Sequence, residues 1–131
     1  MRALVSVFVF MFISLAAYSA SAQQTGRFGI CQAVYLGSGT TAHVAIGAVE
    51  YRGPTATCPA WPDSTGIQLF FFCAAGNKGG SCHPTVHYAE AELIGLYQSF
   101  VSAIDTSRPA LIFSDFIGGI QVAENVTFLR P

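Results

Sequence analysis

The sequence predicts a small, exported α+β domain with the element order β-β-β-α-β-β. Three observations lead to this prediction: an apolar leader at the amino terminus, five runs rich in β-branched and aromatic residues, and one amphipathic segment between the third and fourth runs. We therefore expect a mostly antiparallel five-stranded sheet with a single helix packed against it.

Residues 1–22 have the features of a cleavable signal peptide. Arg2 precedes an almost unbroken apolar stretch over residues 4–17, and Ala20, Ser21 and Ala22 are the small residues at which signal peptidase cuts. We expect the mature protein to be a single domain over residues 23–131. The apolar stretch is short for a membrane helix and no second one follows, so we expect a secreted or periplasmic protein without a membrane span.

The chain is poor in charge and slightly acidic. Charged residues make up 10% of the sequence, and seven Asp or Glu outnumber six Lys or Arg. The cations are scattered, whereas nucleic-acid binding needs them clustered, so we expect no nucleic-acid partner. A surface with so few charges suits contact with another chain, and we expect a homo-oligomer; the alternative is a monomer whose surface is Ser, Thr, Gly and Gln.

All four cysteines follow the leader, and an even count in a small exported domain predicts two disulfides. Three pairings can be drawn. We favour Cys73–Cys82, which would close a Gly-rich loop, together with Cys31–Cys58. The spacing between Cys73 and Cys82 is poor for a zinc site, and oxidised cysteines leave no thiol for catalysis.

Five segments have the composition of β-strands. They cover residues 28–36, 43–51, 67–74, 110–116 and 120–129. A Gly-rich break at residues 37–41 makes the first two a hairpin, and Gly118 and Gly119 turn the chain between the last two. The third segment contains Leu69 followed by three phenylalanines, without polar alternation. We therefore expect that strand to be covered on both faces.

Residues 89–104 are the helix candidate, because their apolar positions form one continuous stripe. The stripe consists of Leu93, Leu96, Tyr97, Phe100, Val101 and Ile104. We expect Thr85 or His87 to cap its amino terminus, and Phe100 to pack on the sheet near Phe71 or Phe113. A helix between the third and fourth of five strands is also the order of an OB-like barrel.

One group of residues has the spacing of a metal site. His83, His87 and Glu90 lie at i, i+4 and i+7, which on a helix would present two imidazoles and a carboxylate to zinc. Pro84 indicates that the helix begins only after His83. We therefore expect one capping and one exposed histidine, with no metal ion and no other cofactor.

Other catalytic patterns are weak. The chain has no Gly-x-Ser-x-Gly elbow. The carboxylates of Glu50, Asp63 and Asp115 could converge for glycoside hydrolysis, but nothing in their spacing favours it. We expect no catalytic residues and a non-catalytic function, with a small exported enzyme or an enzyme inhibitor as the alternative.

Aromatic side chains exposed on a disulfide-bonded scaffold suit sugar or peptide recognition, because rings stack on the apolar faces of sugars. The binding candidates are Tyr35, Tyr51, Trp61 and Tyr88. The alternative is that each ring fills the core or a loop. If the protein were an inhibitor, residues 57–65 around Trp61 would form its protruding loop.

The order of strand, cysteine and helix features in residues 67–116 is similar to that of a known protein family. Phe71, Phe72 and Cys73 end a strand, Cys82 follows, and then come the helical stripe and a short apolar strand at residues 109–113. In this order the segment resembles the B subunits of pentameric bacterial toxins of the subtilase-cytotoxin and pertussis-like group. The resemblance implies an OB barrel that forms a ring and binds a glycan or protein receptor. The family's closing Cys-containing strand is absent here, so no ligand-binding residue is carried over.

Overall fold

The structure, a computed structural model, describes residues 22–52, 58–60 and 63–130. Its strands are β1 (Ala22–Leu36), β2 (His43–Glu50), β3 (Gln68–Cys73), β4 (Pro109–Ile117) and β5 (Ile120–Phe128), with the helix α1 (Glu90–Asp105) between β3 and β4. A short 3-10 helix, Gly39–Thr41, connects β1 to β2. The α+β class and the element order are confirmed.

The strands form one antiparallel sheet in the order β3-β2-β1-β4-β5. The long strand β1 makes this possible, because its carboxyl-terminal part pairs with β2 and its amino-terminal part pairs with β4. The two edge strands, β3 and β5, contact each other. The sheet therefore coils into the partly open, OB-like arrangement that the element order predicts.

Strand β1 begins six residues earlier than its composition predicts, at Ala22 and not at Phe28. The residues from Gln23 to Arg27 lack apolar alternation, so their strand conformation comes from pairing with β4, where Ala22 lies opposite Phe116. The register with β2 shifts between Ile30 and Gln32, which places Cys31 at a β-bulge. A bulge changes the direction in which the side chain of its extra residue points, compared with a regular strand.

The core lies between α1 and the inner face of the sheet. From α1, Leu93, Phe100 and Ala103 are buried, and the predicted stripe residues Leu96, Tyr97 and Ile104 pack partly against the same core. Val101 belongs to the predicted stripe but not to the hydrophobic core cluster, whereas Ala103 is a buried member of that cluster. The apolar stripe is therefore largely confirmed.

The neighbours of Phe100 differ from those expected. Its ring centroid lies 5.5 Å from that of Phe72 and 5.1 Å from that of Phe128. Phe71 is not a neighbour because alternate residues of a strand face opposite sides of the sheet, and Phe72 is the inward one. The ring of Phe100 consequently joins β3 to β5.

The amino terminus of α1 also differs from the prediction. Neither Thr85 nor His87 is the N-cap residue, because the helix begins at Glu90 and Ala89 occupies the cap position. Glu92 supplies a side-chain acceptor there: its Oε1 atom accepts a hydrogen bond of 3.0 Å from the Ala89 N–H. Within the described residues no helix has the length and apolarity needed to cross a membrane.

The outer face of β1–β3 is apolar and partly open to solvent. Phe70 and Phe72 face the core, but Leu69 is 64% exposed. The chain by itself therefore covers one face of this strand, and the predicted cover of the other face would have to come from a neighbouring subunit. On the same outer face, Phe71 lies opposite Ala45, which in turn lies opposite Val34. None of these outer side chains carries a charge.

Both predicted disulfides are present: Cys31–Cys58, and Cys73–Cys82, which closes the loop after β3. We expect non-reducing mass spectrometry of the mature protein to show the loss of four hydrogens and no alkylatable thiol. Reduction should lower the free energy of unfolding by about 2–4 kcal/mol per bridge, measured by urea denaturation with and without reductant. Four free thiols in the exported protein would contradict this prediction.

Candidate functional site

The segment that precedes α1 joins strands across the open side of the barrel. Its last residue, Tyr88, forms a parallel bridge with Ala74 and donates its N–H to the carbonyl of Cys73 at 3.0 Å. The Tyr88 hydroxyl donates to the carbonyl of Glu124 on β5 at 2.7 Å. Tyr88 therefore ties the end of β3 to β5.

Tyr88 was predicted as a ligand-binding aromatic, and the structure gives it an internal role. Its ring packs edge-on against Phe72, with ring centroids 5.8 Å apart. Burial raises the pKa of the Tyr88 hydroxyl, and the nearby carboxylates of Glu92 and Glu124 raise this pKa further. The hydroxyl therefore stays protonated and continues to donate to Glu124.

His83 forms the second connection across the same opening. Its side chain is only 5% exposed, and its Nε2 atom lies 2.6 Å from Oδ2 of Asp115 on β4. On the other side of the ring, Nδ1 accepts the backbone N–H groups of Thr85, at 3.1 Å, and of Val86, at 3.0 Å. Two donors aimed at Nδ1 require a lone pair there, so the ring hydrogen is on Nε2 and is donated to Asp115.

This arrangement decides what His83 can do chemically. A general base needs a ring nitrogen with a free lone pair facing the substrate. In His83 the Nδ1 lone pair is shared between two backbone N–H groups, and Nε2 carries the hydrogen donated to Asp115. The pair has the proximity of a catalytic His–Asp dyad, but both nitrogens are committed to structural hydrogen bonds.

The same argument applies to metal binding. Within the described part of the chain, the three side chains whose ligand atoms lie within 4.8 Å of one another are His83, Asp115 and Glu124. They are not the His83, His87 and Glu90 group that has metal-site spacing in the sequence. A β-bulge on β5 at Glu124, seen as a register shift against Phe113, positions that residue. A metal ion could take Nε2 only if the ring lost its Nε2 hydrogen while Nδ1 kept both backbone donors.

We therefore expect His83, His87 and Glu90 not to bind zinc tightly. His83 and His87 both precede the first residue of α1, so the helical spacing that would align the three side chains does not apply to them. Equilibrium dialysis of the mature protein against zinc is the measurement. One tightly held zinc ion, lost in His87→Ala, would overturn this prediction.

A cavity of about 460 Å³ lies between the Cys73–Cys82 loop and the β4–β5 hairpin. Its polar side is formed by Asn77, Lys78 and His87, and its apolar side includes Ile117 and Val122. Such a cavity, with an apolar wall and a few convergent polar groups, is typical of a small-ligand site.

Asn77 holds the loop side of the cavity in place. Its Nδ2 atom donates to the carbonyl of Thr41 at 3.1 Å, and its Oδ1 atom accepts the N–H of Gly79 at 3.1 Å. A Cβ atom on Gly76 would come within 2.3 Å of the Thr40 side chain, so the loop also needs glycine at that position. Together with the disulfide, these contacts fix the loop against the β1–β2 connection.

Tyr35 and Tyr51, two of the remaining predicted binding residues, do not line this cavity. The ring of Tyr35 packs on Tyr97 of α1, with centroids 6.1 Å apart, and its buried hydroxyl has no hydrogen-bond partner among the described residues. Tyr51 is half-buried beyond the end of β2, and its N–H donates to the carbonyl of Arg27. Trp61 lies outside the described residues. Of the described candidates Tyr35, Tyr51 and Tyr88, none lines the cavity.

The carboxylates considered for hydrolysis each have a local partner. Glu50 pairs with Arg52 at 3.1 Å, and Asp115 binds His83. The exposed Asp63 carboxyl accepts hydrogen bonds from the hydroxyl and from the N–H of Thr65. Both bonds lower the pKa of Asp63, and the bond from the hydroxyl has the larger effect. The cavity beside Glu50 is not lined by Asp63 or Asp115.

The sequence leaves open which of His83 and His87 is the exposed histidine; the structure buries His83, exposes His87 and places His87 on the same cavity wall as Lys78. The Gly-rich stretch between Cys73 and Cys82 was the available signal, because a disulfide-closed loop presents its residues rigidly. No protein-family model, curated protein or solved structure matches this chain.

Proposed function

We propose that the mature chain is a secreted, non-catalytic binding module that takes its ligand in the cavity between the Cys73–Cys82 loop and the β4–β5 hairpin. The observation that carries this proposal is the state of His83, the buried ionisable residue of the cavity wall, whose two ring nitrogens are both committed. A cavity without an available acid or base at its buried wall suits binding better than catalysis.

The ligand class that we propose is a glycan or a protein receptor. Sugars present both apolar ring faces and hydroxyl groups, and the cavity offers Ile117 and Val122 on one side and polar side chains on the other. OB-type barrels commonly bind oligosaccharides or oligonucleotides with their strand faces and connecting loops. This support is an analogy at the level of the fold.

We also propose that copies of the chain associate into a ring, as in the toxin subunits that the sequence resembles. The support is the outer face of β1–β3, where Val34, Ala45, Leu69 and Phe71 are uncharged and Leu36 is 46% exposed. Burying this face against a second copy would remove exposed apolar surface without bringing like charges together.

A glycan array probed with the mature protein tests the ligand proposal. We expect selective binding that His87→Trp abolishes, because the larger ring would fill the cavity from an exposed position on its wall. Gln98→Trp is the matched control, since Gln98 is exposed on α1 away from this cavity. A flat array, or equal binding by both variants, would contradict binding at this site.

Light scattering tests the ring separately. We expect an oligomer at micromolar concentration that Leu69→Gln dissociates, whereas Ile94→Gln, at another exposed apolar residue on α1, leaves it intact. A monomeric wild-type protein at that concentration would eliminate the ring but not the binding site.

A further inference from the structure

We infer that the cavity selects ligands that carry a carboxylate. This inference rests on the proposed function and names the ligand chemistry of the same site. The chain as a whole has a net charge of −1, yet the ionisable side chains that line the cavity are Lys78, His83 and His87, with no Asp or Glu among the described lining residues. The described part of the lining therefore carries one formal positive charge, at Lys78, and no negative one.

His83 separates two carboxylates from the lining, since ligand atoms of Asp115 and Glu124 lie within 4.8 Å of a His83 ring nitrogen and neither residue lines the cavity. Asp115 lies 2.6 Å from His83 Nε2 and receives its hydrogen, and Asp115 is not among the residues that form the cavity wall. The imidazole thus stands between the cavity and the β4 carboxylate.

Lys78 is the residue that would bind the ligand's charge. It is the only lysine of the chain, it is exposed, and it makes no ion pair among the described residues. Two arginines, by contrast, have partners: Arg52 pairs with Glu50, and Arg108 donates to the carbonyl of Leu129. An ammonium that no carboxylate of the described residues neutralises is free to form a charge-assisted hydrogen bond with a ligand.

The loop backbone that carries Lys78 is held in place before a ligand binds. The disulfide and Asn77 hold the loop that carries Lys78, so little backbone order has to be created on binding. Gly80, also on the wall, has open space where a side chain would be, which leaves room for the ligand beside Lys78.

His87 adds a ring N–H that donates in either protonation state. The apolar wall at Ile117 and Val122 would accept the neutral part of the ligand.

The test compares D-galacturonate with D-galactose, which differ at one carbon in having a carboxylate or a hydroxymethyl group. In amide NMR titrations of the mature protein, we expect galacturonate to shift residues 78–87 and 117–122 and to bind about tenfold more tightly than galactose, a usual effect of one charge-assisted hydrogen bond. Raising the salt concentration should weaken galacturonate binding and leave galactose binding unchanged.

Lys78→Gln should remove the preference for galacturonate. Arg27→Gln, which removes an exposed cation that does not line this cavity, should keep it. Thermal unfolding of both variants verifies that they are folded. Equal binding of the two sugars, no shift with galacturonate, or an unchanged preference in Lys78→Gln each overturns the inference. A neutral glycan bound on the array would in those cases leave the proposed function standing, so the two failures are distinguishable.

Discussion

Replacing Phe100 with alanine is expected to lower the free energy of unfolding by about 3–5 kcal/mol, the usual cost of emptying a buried aromatic site. Phe100 is fully buried, and its ring contacts Phe72 of β3 and Phe128 of β5. The substitution would therefore open a cavity where the helix holds the two edge strands of the sheet together. A domain of this size has about 5–15 kcal/mol in total, so we expect poor export or degradation.

Gln98→Ala is the matched control for Phe100→Ala, because Gln98 is exposed on the same helix. It should cost well under 1 kcal/mol. Urea denaturation of both variants is the measurement. If Gln98→Ala unfolds the protein and Phe100→Ala does not, α1 is rotated relative to this account and its apolar stripe contacts a partner chain.

Replacing His83 with alanine is expected to cost about 2–4 kcal/mol, because it leaves several polar groups without partners at once. The N–H groups of Thr85 and Val86 lose their common acceptor, and the Asp115 carboxylate, with its side chain only 18% exposed, loses its donor. The connection between the segment before α1 and strand β4 is lost as well.

Two conservative variants separate the roles of the two ring nitrogens. His83→Asn keeps an acceptor, Oδ1, at the position of Nδ1 but does not reach Asp115. His83→Gln reaches Asp115 but has no acceptor at the position of Nδ1. We expect each to destabilise the protein less than alanine does, as measured by urea denaturation. A cost below 1 kcal/mol for His83→Ala would show that these hydrogen bonds do not hold the segment.

The elements that the sequence predicts well are those whose own residues specify them. The stripe from Leu93 to Ile104 has helical spacing, and the apolar runs around Ile46 and Phe70 have the composition of strands, so local patterns are sufficient. The start of β1 is different, because Gln23 and Gln24 form a strand only by pairing with β4.

The candidate site depends on contacts between distant parts of the chain. His83 and Asp115 are 32 residues apart in the sequence. Glu124 is positioned by a β-bulge that no local sequence pattern predicts. The tyrosines illustrate the same limit: whether Tyr35 or Tyr88 faces solvent depends on which side of the sheet it lies, which the residue type does not encode. Lys78 and His87 become neighbours of one cavity only once β4 and β5 are in place.

The central claim, that the cavity binds and does not catalyse, depends on the tautomer of His83. Nitrogen-15 NMR of the imidazole rings in the mature protein measures this directly, with His83→Asn to assign the signal. We expect hydrogen on Nε2, a hydrogen-bonded lone pair on Nδ1, and a loss of the Nε2–H···Asp115 signature in Asp115→Ala, which removes the acceptor. A signal with hydrogen on Nδ1 and a free lone pair on Nε2 would contradict the account, because His83 would then be available as a base or as a metal ligand.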